Sequence, residues 1–140
     1  MSELRIIVTG GHKRSSEQDR ATLLRDITRR VYSMPVRFGE ELRVVVVQGG
    51  CPYGVDVMAR DVTDGTFFQV ETYPADFDIH PDDAVEVSNQ AMVDRGADLC
   101  IAMPNAPADG PSLGTWDMIR RAVAAGIETR IYPEAGHEMQ

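Results

Sequence analysis

Apolar runs and helical stripes take turns along this chain. Leu4 to Val8 is apolar and β-branched, and Gly10-Gly11 breaks it. Ser15 or Ser16 opens a helix, and Ser15-x-x-Gln18 has capping-box spacing. Its apolar stripe is Leu23, Leu24, Ile27 and Val31, and Met34-Pro35 ends it. Leu42 to Val47 is a second strand, closed by Gly49-Gly50. Val55, Met58, Ala59 and Val62 mark a second helix that stops near Gly65, and Phe67 to Tyr73 reads as strand three. Pro81-Asp82-Asp83 suits the first turn of a third helix, which runs through Met92 to a Gly96 cap. Leu99 to Met103 is strand four, followed by a loop over Gly110 to Gly114. A helix over 115–125 follows, with Trp116, Ile119 and Val123 facing inward, and Ile127 to Ile131 is strand five.

Strict alternation of strand and helix with short loops predicts an α/β domain: a parallel sheet with helices on both faces. Strands one, two and four are continuously apolar, the pattern of central strands buried on both sides. Strands three and five alternate apolar with polar residues, which suits sheet edges. With right-handed crossovers the order is 3-2-1-4-5, a three-layer, five-stranded Rossmann-like fold. The domain spans 1–133, and 134–140 reads as a C-terminal tail. In such sheets ligands bind at the carboxyl ends of the strands, where strand order reverses. Here that point lies between strands one and four.

A length of 140 residues with 43% hydrophobic and 26% charged composition fits one globular domain. No apolar run reaches the length of a membrane span, and the start lacks the layout of a signal peptide. The two cysteines form no ligand-type pair. A cytoplasmic setting is therefore expected. The net charge of −8 is uneven: residues 1–65 hold 10 basic and 9 acidic side chains, and residues 66–140 hold 4 and 13. That acidic second half disfavours a broad nucleic-acid footprint.

The candidate chemistry lies in the loops at the carboxyl edge. After strand one, Gly10 and Gly11 allow close backbone approach, Lys13 and Arg14 supply charge, and a helix start follows. A plain strand-to-helix turn with solvated charges would look the same. The glycine spacing matches neither the dinucleotide fingerprint nor the P-loop. After strand two, Gly49, Gly50 and Gly54 precede Asp56 in the first turn of the next helix. Their amides could hold an anion, whereas Asp56 could simply offset the helix dipole. Before helix four, Ser112, Gly114 and Thr115 can cap the helix or hold a phosphate. Asn89 on the Val85, Asn89, Met92 stripe needs a hydrogen-bond partner, in a neighbouring loop or in the crevice. Asp76, Asp78, His80, Asp82 and Asp83 look acidic enough for a metal, but Asp82 and Asp83 suit a helix start. No protein-only metal cage is expected; magnesium enters only with a nucleotide's phosphates.

Taken together, these blocks resemble the SLOG superfamily, which groups the DNA-processing protein A fold with the Lonely Guy enzymes; they are most similar to the small YspA-type branch. The resemblance runs from Ile6 to Tyr132. Its blocks are Val8-Thr9-Gly10, Gly49-Gly50-Cys51-Pro52-Tyr53-Gly54-Val55-Asp56 and Tyr73-Pro74-Ala75-Asp76 with His80. Asn89-Gln90-Ala91-Met92, Gly96-Ala97-Asp98 and Gly114-Thr115 complete it. It implies a Rossmannoid domain whose glycines after strand two and Gly114-Thr115 line the phosphates of a nucleotide-like ligand. The chain departs from the pattern at three places. Gly10-Gly11-His12 stands where the branch usually has Gly-Ser-Arg, and Ser88 stands where Arg is common. Met118 occupies the position of the Lonely Guy catalytic glutamate, so hydrolysis by that route is not carried over.

The leading expectation is binding or sensing of a nucleotide or nucleotide-derived phosphate, with Asp76 and Asn89 as candidate base or ribose contacts. One alternative is a hydrolase cleaving a nucleotide or N-glycosidic bond, with Asp76, Asp78 or Asp117 as acid or base. Another is single-stranded DNA binding through a patch of Lys13, Arg14, Arg20 and Arg37. A homo-oligomer paired through an exposed apolar helix face is a further expectation.

Overall fold

The computed structural model describes residues 2–36, 39–106 and 112–134. Five strands and four helices alternate as β1 (Ser2–Gly10), α1 (Glu17–Ser33), β2 (Leu42–Gln48), α2 (Val55–Thr63), β3 (Gln69–Thr72), α3 (Ala84–Arg95), β4 (Leu99–Met103), α4 (Leu113–Ala124) and β5 (Thr129–Ile131). The strands form one parallel sheet in the order β3-β2-β1-β4-β5, the order expected from the apolar patterning.

Alternate residues of each central strand feed two cores. Leu4, Ile6, Val8, Val44, Val46, Leu99, Ile101 and Met103 pack with Leu23 and Ile27 of α1 and Val55, Met58 and Ala59 of α2. Ile7, Val45, Val47 and Cys100 pack with Met92 and Val93 of α3 and Met118 and Ala122 of α4. Helices thus cover both faces. Burial pushes the Cys100 thiol up to about 12, the behaviour of an inert core thiol.

Several boundaries and phases differ from the sequence expectation. The α1 cap is Ser16, whose hydroxyl accepts the Asp19 N–H while the Asp19 carboxylate accepts the Ser16 N–H. The capping box is therefore Ser16-x-x-Asp19, not Ser15-x-x-Gln18, and Leu24 stays 43% exposed. β3 is only four residues long, and Phe67 and Phe68 lie before it. α4 begins at Leu113, so Gly114 is helical and the buried stripe is Thr115, Met118, Ile119 and Ala122. On that phase Val123 turns outward at 60% exposure, and Trp116 is half-buried.

One charged residue interrupts the central strand. Arg5 is buried on β1, donates through Nε to the Gly96 carbonyl (2.9 Å) and forms a short ion pair with Glu71 on β3. Tyr73 donates to the same Glu71 carboxylate at 3.0 Å. Among the described residues, no helix is long and apolar enough to cross a membrane. In the stretch read as a tail, Glu134 accepts the Ala106 N–H at 3.3 Å, and residues 135–140 lie outside the described residues.

Candidate functional site

The carboxyl ends of β1, β2 and β4 bring the β1–α1, β2–α2 and β4–α4 loops to one edge. Arg14, which reads in sequence as a free cation, is not free. It is 2% exposed and grips Asp19 through Nε (3.1 Å) and Nη2 (2.8 Å). Its Nη1 donates to the carbonyls of Pro104 (2.7 Å) and Tyr132 (2.8 Å). One guanidinium thus joins the start of α1 to the ends of β4 and β5. Burial alone would raise the Asp19 carboxyl, but Arg14 and the Ser16 N–H outweigh it and hold it below the usual range. Lys13, one residue earlier, is exposed.

The glycines of these loops serve contact between backbones. A Cβ on Gly10 would lie 2.3 Å from Val55 Cγ2 and 2.6 Å from the Met103 carbonyl oxygen, so Gly10 lets α2 and β4 close on β1. A Cβ on Gly11 would overlap the Asn105 side chain at 1.8 Å. Gly54 has φ +67°, and its Cβ would lie 2.3 Å from the Gly11 carbonyl oxygen. The β2–α2 loop therefore rests directly on the β1–α1 loop. Gly49 differs: its nearest neighbours would be ordinary contacts of 3.7–3.9 Å with Asp56, Met92 and Tyr73. Gly50 at φ +80° faces Thr72.

Asp56 stands in the first turn of α2 and is buried. Burial raises its carboxyl above the usual range, only partly opposed by the N–H groups of Cys51 and Gly50. The Cys51 N–H reaches Asp56 Oδ2 at 2.8 Å, so this carboxylate folds the glycine loop back onto its helix. Arg60 is a cation whose field also opposes that rise. Above this loop the His12 and Tyr53 rings lie 6.1 Å apart and tilted by 50°, with His12 exposed and Tyr53 65% exposed.

The start of α4 is unlike those of the other described helices. α1 has a side-chain cap and Glu17 and Asp19 in its first turn; α2 has Asp56, and α3 has Glu86. α4 has neither a side-chain cap nor an acid in its first turn. Its N-cap, Ser112, holds a left-handed backbone (φ 47°), and its hydroxyl accepts the Asn105 N–H at 2.8 Å instead of capping α4. Among the described residues nothing acidic offsets the dipole in this first turn, which favours an anion. Asn105 also accepts the Lys13 N–H at 3.2 Å. The crest therefore runs without a break from Tyr53 through His12, Lys13 and Asn105 to Ser112, Gly114 and Thr115.

Asn89 lies below this crest, with its amide donating to the Gly114 carbonyl (3.1 Å) and to Asp117 Oδ2 (2.9 Å). It ties α3 to the first turns of α4. Asp117 also accepts from Arg121 at 2.8 Å. Desolvation raises its carboxyl, and the bonds from Arg121 and Asn89 reverse that and hold it below the usual range. Met118 is fully buried in the core. Asp76 sits apart in an exposed turn, where its Oδ1 accepts the N–H groups of Asp78 and Ile79, each at 3.1 Å. His80 Nδ1 lies 3.8 Å from Asp83. Among the described residues, no three His, Cys, Asp or Glu side chains are grouped to hold a metal ion.

The structure thus brings together Gly10, Gly11, Lys13, Gly54, Ser112, Gly114 and Thr115, with Gly49, Gly50 and Asp56 beside them. Arg14 and Asn89 support the site from behind, and Asp76 is engaged in its own turn. Gly110 and Pro111 of the loop before α4, and Arg37, lie outside the described residues. Sequence reasoning missed Asn105, the link between Lys13 and α4. It has no periodicity or motif to mark it. Gln48 was missed as well: it is fully buried at the end of β2, accepts from Arg60 at 3.4 Å and leaves its Nε2 without a partner among the described residues.

No family model and no curated protein matches this chain. Among solved structures it is similar to the C-terminal domain of a hydrogenase from Pyrococcus furiosus, at 11% identity over 94% of each chain with a TM-score of 0.44.

Proposed function

We propose that this chain binds a nucleotide or a nucleotide-derived phosphate at the carboxyl edge of its sheet, between the β1–α1 loop and the start of α4. The observation that carries the reading is the first turn of α4, which among the described residues has no acid and no side-chain cap, joined through Asn105 to the exposed Lys13 loop. Backbone N–H groups and one lysine suit a phosphate, and a fixed framework lowers the cost of binding it. The exposed His12 and Tyr53 rings next to Lys13 offer an aromatic face on which a base could stack. Magnesium belongs to this reading only as a companion of the phosphates.

The alternatives have less to stand on. A hydrolase needs a carboxylic acid or base aimed at the ligand. Asp117 is held ionised by Arg121 and Asn89, and Asp76 is bonded within its turn. A DNA-binding patch needs free cations; Arg14 is buried, and Arg20 lies 3.5 Å from Asp61.

The test is a thermal-shift screen with adenosine and guanosine mono-, di- and triphosphates, NAD and ADP-ribose, with and without magnesium, beside a short single-stranded oligonucleotide. A ligand at about 100 times its Kd adds about 2.7 kcal/mol, or about 9 °C for a chain of this length. The expected result is a shift from one nucleotide class that Gly114→Asp and Lys13→Ala each abolish. Silence with every nucleotide, or a shift untouched by both substitutions, would overturn the reading.

A further inference from the structure

On the face of the molecule formed by α3 and α4, away from the crest, the two helices leave an open groove of about 660 Å³. Its lining includes Gln90, Val93, Asp94, Arg120, Ala124 and Ala125. We propose that this face pairs with the same face of a second copy of the chain in a two-fold dimer.

Three features of this face lead there. The first is apolar exposure where a monomer gains nothing from it. Val87 is 38% and Val123 60% exposed, and Ala91, Ala124 and Ala125 are exposed beside them. Residues 87, 91 and 94 share one stripe of α3, and 120 and 124 share one stripe of α4, with 123 about 100° round the helix from 124. The second feature is the disposition of charge. Arg121 is paired internally with Asp117 and donates to Gln90 Oε1 at 2.8 Å, so it belongs to the floor of the groove. Arg120 is exposed and makes no hydrogen bond or ion pair among the described residues. Asp94 accepts only the Gln90 amide, at 2.8 Å, and has no ion pair among the described residues. A cation on one helix whose field reaches Asp117 but which has no ion pair among the described residues, and an anion on its neighbour that also has none, make the face complementary to itself.

The third feature is direction. Both helices return from the carboxyl edge of one parallel sheet, so they run the same way. A two-fold axis along the groove then lays α3 of one copy over α4 of the other, keeping their directions matched. Arg120 of each copy meets Asp94 of its partner, so the charge pair forms twice, as an isologous contact requires. Each helix has 12 residues, about 18 Å of length, and two helices about 10 Å apart cover roughly 350 Å² per copy, below a standard interface, so the dimer is a weak one. A dimer dissociating in the micromolar range is expected.

The experiment is sedimentation equilibrium of the full chain from about 1 µM to about 500 µM, a span that brackets such a constant. Wild type should pass from monomer to dimer across it. Arg120→Asp and Asp94→Arg should each weaken the dimer by at least about tenfold, since each creates two like-charge contacts. The double variant Arg120→Asp/Asp94→Arg should regain most of the affinity. That recovery separates lost pairing from lost folding, and the circular-dichroism melt of each variant provides the same control. A wild-type chain that stays monomeric throughout overturns the proposal. So does a dimer that both single reversals leave intact, or a double variant no better than either single one.

Discussion

Replacing Arg14 by alanine separates a buried framework cation from its exposed neighbour Lys13. Arg14 is 2% exposed and Asp19 7%, so their ion pair is not discounted by solvent as a surface pair would be. Removing one partner of such a buried pair costs about 3–5 kcal/mol, because the other charge is left without compensation. The carbonyls of Pro104 and Tyr132 lose their donor in the same step. For 140 residues the entropy of unfolding is about 0.3 kcal/mol/K, so the melting temperature should fall by about 10–17 °C. Lys13→Ala, at an exposed neighbouring position, should melt within about 2 °C of wild type. Arg14→Lys should recover little, since one ammonium cannot span a bidentate carboxylate and two carbonyls. Thermal melts by circular dichroism decide the matter. If Arg14→Ala melts with the wild type, the guanidinium is not holding these loops and the reasoning fails.

The same pair sets an acid response. The Asp19 carboxyl lies below its unfolded value, so its contribution is present above about pH 4 and is lost as pH falls through the folded value. An Arg14→Met/Asp19→Leu variant should therefore lose less stability between pH 5 and pH 2 (about the range of that titration) than wild type in urea melts. Asp56 has the opposite sign: its raised carboxyl favours the folded state at low pH, and that benefit is lost as pH rises through the folded value. Asp56→Asn keeps an acceptor for the Cys51 N–H, so it should be more stable than wild type at neutral pH, with the gap closing below about pH 4. Gly54→Ala should cost more than about 2 kcal/mol in urea melts, from its positive φ and the collision with the Gly11 carbonyl, whereas Gly49→Ala should cost under about 1 kcal/mol.

The framework of this fold is written in local pattern, and the site largely is not. Continuous apolar runs over Leu4 to Val8, Leu42 to Val47 and Leu99 to Met103 require burial on both faces, and the alternation in Phe68 to Glu71 and Ile127 to Ile131 does not. Strand order follows from that contrast and the handedness of crossovers. Lys13 and Arg14, by contrast, are adjacent, alike in charge and opposite in role. What divides them is the arrival of Pro104 and Tyr132, 90 and 118 residues away, at one guanidinium. No local window contains that information. The α4 stripe differs for a smaller reason: the face that meets the sheet is centred on Thr115, Met118, Ile119 and Ala122, so Ile119 lies inside as its spacing suggests while Val123, about 100° on from Ala122, turns outward.

Glycine-rich loops at a sheet edge have two physical causes that look identical in sequence, the close packing of backbones and the close approach of a ligand, and the first operates at three positions here. Gly10, Gly11 and Gly54 are small because neighbouring backbone and side chains fill the space where a Cβ would be. Those contacts stack the β2–α2 loop on the β1–α1 loop, and Arg14 locks the latter to β4 and β5. The packing is consequently what fixes Lys13 and Asn105 relative to the start of α4. A ligand arriving there would not have to order the loops first, which is the entropic cost that most weakens binding on mobile segments. Glycines with no ligand contact thus remain part of the site through rigidity. It follows that Gly54→Ala and Gly49→Ala should part company in the nucleotide screen. The first should lose stability and binding together. The second should keep its melting temperature and lose binding only if a phosphate approaches the open side of Gly49.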